Sequence, residues 1–100
     1  MTSIELAPEV AGDFERICDH LASHDATSGA ARIGEIVQAI AVLVHNPLIG
    51  RPGRGQNREL IIGRRASGYV VLYRYAETID TVFVLAVRGQ REAGYIGDTP

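Results

Sequence analysis

No lysine occurs in this 100-residue chain, so all ten of its fixed basic side chains are arginines. A lysine acting as a proton acceptor, or closing a glycine-rich phosphate loop, is therefore excluded. A single cysteine, Cys18, rules out an internal disulfide and fits a reducing cytoplasm. It falls on an apolar stripe and reads as a small core residue rather than a nucleophile. No apolar run approaches the ~18 residues of a membrane span. The opening MTSIELAPEV has neither the basic nor the apolar region of a secretion signal, so a cytoplasmic location without a membrane partner is expected. No internal repeat or low-complexity segment is present. His20 and His24 are four apart, which is half a metal site with no third ligand in view, and nothing calls for a metal or a cofactor. The serines lack a nucleophile elbow. Gly50, Gly53 and Gly55 lack the Gly-Lys-Ser/Thr ending of a nucleotide loop.

What the chain does have is an uneven charge. Residues 1–50 hold Arg16 and Arg32 against Glu5, Glu9, Asp13, Glu15, Asp19, Asp25 and Glu35, a local charge of −5. Residues 51–100 carry +3 within a total of −2. The concentration is greatest between Gly50 and Tyr75, where Arg51, Arg54, Arg58, Arg64, Arg65 and Arg74 face one carboxylate, Glu59. The guanidinium is planar and always charged, and its fork matches carboxylate or phosphate. Such a cluster is either solvated and paired with the acidic half or an anion-binding surface, and the clustering favours the latter. The candidate binding residues are Arg51, Arg54, Arg58, Arg65, Arg88 and Arg91.

Periodicity supplies the frame. Residues 3–6 alternate as a short strand, and Pro8 suits the first position of a helix. Val10, Phe14, Ile17, Cys18 and Leu21 then recur at helical spacing, and the helix should stop near His24 and Asp25. A second helix begins near Thr27 or Ser28, points Ile33, Ile36, Val37, Ile40, Leu43 and Val44 inward, and ends at Asn46-Pro47. The two form an antiparallel hairpin. Beyond Pro47 the period falls to two. Glu59 to Gly63, Tyr69 to Tyr75 and Thr81 to Val87 read as strands of an antiparallel meander, with Tyr69, Val71, Tyr73 and Tyr75 on one face. Length and pattern imply one α+β domain over residues 1–100, ordered β-α-α-β-β-β, its hairpin packed on a small twisted sheet.

Taken in order, NPLIGRPGR, REL, YVVLYRY and VFVLAVRGQRE resemble the RelE/ParE superfamily of bacterial type II toxin–antitoxin toxins, also called plasmid stabilisation proteins. The resemblance runs from about Glu5 to Tyr95 and implies the same fold, together with a cognate antitoxin in a hetero-oligomeric complex. Gly50 to Arg54 with Arg58 to Leu60 is more similar to the ParE side, which implies poisoning of DNA gyrase and growth inhibition without hydrolysis. The alternative is a RelE-like, metal-independent endoribonuclease acting on messenger RNA at the ribosome. For that activity the resemblance offers Arg58, Arg88, Arg91 and Tyr95. Cleavage through a 2′-hydroxyl needs a general base, and with no lysine and no histidine after His45 that base is missing. The net acidity also opposes an RNA-binding surface, so the expectation is the gyrase poison.

Overall fold

The computed structural model describes residues 1–22, 28–63 and 68–89, without the side chains of residues 21, 22, 28 and 29. Strand β1 (Ser3–Leu6) is followed by helices α1 (Pro8–Ala22) and α2 (Ser28–Val42). Then come β2 (Arg51–Pro52), β3 (Asn57–Ile62), β4 (Tyr69–Ala76) and β5 (Thr81–Gly89). The strands form one five-stranded sheet in the order β1-β5-β4-β3-β2. β1 lies parallel to β5, and every other pairing is antiparallel. The expected β-α-α-β-β-β domain is thus present, with the two-residue β2 added at one edge. No described helix is long and apolar enough to cross a membrane.

The helices cover one face of the sheet. Val10 and Ile17 of α1, Ile36 and Ile40 of α2 and Leu43 just beyond it meet Val71, Tyr73, Val82, Val84 and Val87 in a single buried cluster. Phe14, Ile33, Tyr69 and Tyr75 pack around it, as their spacing predicts. Pro8 opens α1 as expected, whereas the expected stop at His24 and Asp25 and the expected cap at Thr27 lie outside the described residues. α2 ends before Asn46. Leu43, Val44 and His45 each donate to the carbonyl three residues back, so the chain tightens before Pro47 while Leu43 stays buried. Val37, expected to point inward, is 49% exposed. It follows Ile36 by one residue, and one helical step of about 100° turns it away from the sheet.

A break in register shapes β5. Leu72 of β4 faces Ala86 while Tyr73 faces Val84, so Leu85 is an extra residue. This bulge shifts the alternation by one, and Val84 and Val87 both reach the core despite their odd spacing. Strict alternation over Thr81 to Val87 would have put them on opposite faces. The β4–β5 connection is a short 3₁₀ turn, Glu77–Ile79, closed by Asp80 in the left-handed region at φ 48°. Asp80 accepts from the hydroxyls of Thr2 and Tyr75, both at 2.6 Å, fastening the start of β1 to this turn.

Candidate interaction site

The arginines of the sheet half occupy several different environments. Arg51, in β2, stands directly opposite Glu59 in β3, and its Nε donates to Glu59 Oε1 at 2.8 Å. The Glu59 side chain is nearly buried while that of Arg51 is 62% exposed, so the pair closes over the carboxylate and leaves the guanidinium at the surface. Arg54 sits on the connecting turn, where the Asn57 N–H donates to the Arg54 carbonyl and Gly55 takes the positive φ of 57° that the turn requires. Its side chain is exposed and makes no ion pair among the described residues.

Arg58 has a different task. It faces Tyr73 across the β3–β4 ladder, and its Nη1 donates to the carbonyls of Leu48 at 3.1 Å and Gly50 at 2.7 Å. The Tyr73 hydroxyl in turn accepts from the Gly50 N–H at 2.8 Å. The chain entering β2 is therefore held by a guanidinium from one strand and a buried phenol from the next. Only glycine fits beneath it. A Cβ at Gly50 would lie 2.7 Å from the Tyr73 ring and hydroxyl and 2.9 Å from the Glu59 carbonyl.

Arg88 is held by helix α1. Asp13 is buried, and its Oδ1 accepts from Arg88 and, at 3.0 Å, from Arg16. Oδ2 accepts from the Val87 N–H at 2.9 Å, while Arg16 donates to the Val87 carbonyl at 3.3 Å. β1 pairs with β5 only as far as Val84, so a helix carboxylate and a helix guanidinium serve the edge backbone where the neighbouring strand has ended. Burial pushes the Asp13 carboxyl up, but the hydrogen bonds from Val87, Arg16 and Arg88 outweigh it and hold the group below its ordinary value. At the opposite end of the sheet, the Thr2 and Tyr75 hydroxyls lower Asp80, and the same bond raises Tyr75.

Of the residues expected to bind an anion, Arg51, Arg54 and Arg58 come together around β2 and β3. Arg88 does not join them. It faces Val70, two strands away from Arg58, and its guanidinium is turned onto Asp13 of α1 while that of Arg58 is turned onto the Leu48 and Gly50 carbonyls, so the expected approach of Arg58 to Arg88 does not occur. Arg65, Arg91, Tyr95, Arg64 and His24 lie outside the described residues. Arg74 stacks on Phe83, 5.4 Å from the ring centre, on the sheet face that turns away from the helices. Sequence reasoning did not single out Asp13, the Tyr73 hydroxyl, or Leu48 and Ile49. The last two carry a faint signal, an aliphatic pair between Pro47 and Gly50 that belongs to neither periodic pattern.

A groove of about 380 Å³ opens beside the hairpin, lined by Ile4, Leu6, Phe14, Val37, Ile40, Ala41 and Val44. Its walls are aliphatic apart from one aromatic ring, and Leu6 and Val37 lie about half exposed along it.

Comparison with known proteins places this architecture. The family model described as the ParE toxin of the type II toxin–antitoxin system, parDE, matches residues 4–94. A solved chromosomal ParDE system from P. aeruginosa superposes with a TM-score of 0.75 at 22% identity, covering 89% of this chain and 96% of that one. A mutant of the E. coli toxin RelE in the free state superposes with a TM-score of 0.65 at 18% identity, covering 98% and 92%. No curated protein matches. At these identities the two solved structures support the fold, and the family match spans nearly every element that carries it, from β1 through the hairpin to the end of β5. The chain therefore belongs to the ParE family of type II toxin–antitoxin toxins.

Proposed function

We propose that this toxin acts by poisoning DNA gyrase and is held inactive by a cognate antitoxin in a hetero-oligomeric complex in the cytoplasm. The observation that carries the choice of mechanism is how the arginines are used. Phosphoryl transfer along an RNA chain needs cations and proton-transfer groups converging on one phosphate. Here Arg88 is drawn onto Asp13, which it shares with Arg16, and Arg58 is turned onto backbone carbonyls, so the described arginines do not converge on one point. A protein-binding poison needs no such convergence.

The groove between β1 and the hairpin suits an apolar stretch of the antitoxin, and exposed Arg51 and Arg54 suit its carboxylates. The P. aeruginosa relative is itself described as part of a ParDE toxin–antitoxin system, which supports a partner of this kind.

Inducible expression of the chain alone tests the proposal. Growth arrest with DNA breaks and an SOS response is expected, together with rescue by co-expression of the antitoxin. Rapid messenger cleavage without DNA damage would replace the gyrase reading with a ribosome-dependent endoribonuclease. Normal growth at verified expression would reject both.

A further inference from the structure

The loop between α2 and β2 holds two neighbouring aliphatic side chains out in solvent, with Leu48 and Ile49 each 56% exposed. Isolated exposed aliphatics are common on protein surfaces. An adjacent pair on a fastened backbone needs another explanation. The Ile49 N–H closes a turn onto the Asn46 carbonyl at 3.1 Å, Gly50 is tied to the Tyr73 hydroxyl, and Arg58 holds the carbonyls of Leu48 and Gly50. These bonds fix the backbone of the loop, so moving either residue as a whole into the core would mean giving them up. The next cations along the chain are Arg51, whose Nε is engaged by Glu59, and Arg54, both exposed.

We propose that Leu48, Ile49, Arg51 and Arg54 form a docking platform for an acidic protein segment that sets an aliphatic or aromatic side chain beside carboxylates. Arg58 and Tyr73 are its positioning residues. A nucleic-acid backbone would use the two cations but would leave the hydrocarbon that precedes them unmatched. An acidic, apolar peptide matches both, the apolar contact providing the anchor and the arginines the orientation. The platform is separate from the apolar groove, with which it shares no lining residue. It rests on the toxin reading only for the identity of the natural partner.

The test is fluorescence polarisation of the purified protein with short labelled peptides that alternate glutamate and leucine. Three control probes accompany them: lysine in place of glutamate, serine in place of leucine, and a single-stranded oligonucleotide. The glutamate–leucine peptide is expected to bind at least about tenfold more tightly than any control. The double variant Leu48→Ser with Ile49→Ser, and separately Arg54→Glu, should each weaken it about tenfold with unchanged thermal melting, because these side chains are exposed. Arg58→Gln should weaken it with faster exchange of the Gly50 amide, and Arg58→Lys, which still donates to one carbonyl, should recover part of the affinity. No binding of the glutamate–leucine peptide, equal binding of the serine control, tighter binding of the oligonucleotide, or wild-type affinity in the Leu48/Ile49 variant would each overturn the platform. Growth arrest is scored separately. A chain that binds the peptide yet leaves growth normal keeps the platform and removes the toxin reading.

Discussion

Arg58 and Arg88 each hold a piece of backbone in place at opposite corners of the sheet, and they do so with different acceptors. Arg58 donates to two carbonyls, which are dipoles, so its positive charge is directed but not cancelled. Arg88 donates to the Val87 carbonyl and also to Asp13, which is an ion, so its charge is partly balanced by a carboxylate that it shares with Arg16. A cationic residue's place in the sequence gives its charge, whereas the acceptor it meets decides whether that charge is available to a partner. By this measure the β2–β3 corner, where Arg51, Arg54 and Arg58 stand against Glu59, keeps more unbalanced positive charge than the Asp13 corner, where Arg16 and Arg88 share one carboxylate.

Removing Asp13 gives the sharpest break between the corners. Asp13→Ala deprives the Val87 N–H, Arg16 and Arg88 of their acceptor at one stroke. A buried donor left unsatisfied, together with lost charge-assisted bonds, predicts a destabilisation of about 3 kcal/mol. The two arginines are partly exposed and can turn to water, which keeps the loss from being larger. Urea unfolding would measure it as a lower midpoint at unchanged slope. A loss below about 1 kcal/mol would mean that the helix carboxylate is dispensable to the β5 edge.

At the other corner, Gly50→Ala should cost about 2 kcal/mol, because the added methyl meets a buried ring and a strand carbonyl that cannot yield cheaply. Tyr73→Phe keeps the ring and removes only the acceptor of the Gly50 N–H, which predicts about 1 kcal/mol and faster exchange of that amide. Thermal unfolding of the two variants separates crowding from the lost hydrogen bond. Equal losses would show that the bond alone explains the requirement for glycine.

Acid should act at the Asp13 corner. The Asp13 carboxyl is held below its ordinary value of 3.8 in the folded chain. Its contribution is thus fully present above the ordinary carboxylate range and is lost as pH falls through the lowered folded value. Asp13→Asn lacks this component, so the stability gap between wild type and variant should close as pH falls. A gap independent of pH would show that shape rather than charge holds the corner. At high pH the sign reverses for Tyr75, whose pKa is raised in the fold by its bond to Asp80. That contribution is present below the ordinary tyrosine value and is lost as pH rises through the raised one.

Much of the frame was legible in the residues. Val10, Ile17, Ile36, Ile40, Leu43, Val71 and Tyr73 are buried where the spacing of apolar positions put them. β2 was not legible, because two residues including a proline carry no period. The shift at Leu85 was hidden for a related reason: an inserted residue looks like any other until the partner strand is known. The arginine cluster was visible as charge but not as geometry. Nothing within VRGQRE announces that Arg88 will meet a carboxylate 75 positions earlier, and nothing near Arg58 announces two carbonyls in the preceding loop. Contacts of that range are products of topology, and local pattern does not contain them.

The smallest effect comes from a glycine unlike Gly50. Gly34 lies inside α2, and a Cβ built on it would find no atom within 4 Å. With no steric or conformational demand for glycine, Gly34→Ala removes only the entropic cost of holding a flexible residue helical, which predicts a gain of about 0.5–1 kcal/mol. Thermal unfolding should show a slightly raised midpoint, in contrast to the lowered one at Gly50→Ala. The two substitutions are chemically identical and should move stability in opposite directions, because one methyl enters open solvent and the other enters the site where Arg58 and Tyr73 fasten the loop. If Gly34→Ala lowered the midpoint instead, the packing around α2 would have to be tighter than the geometry of the isolated chain allows.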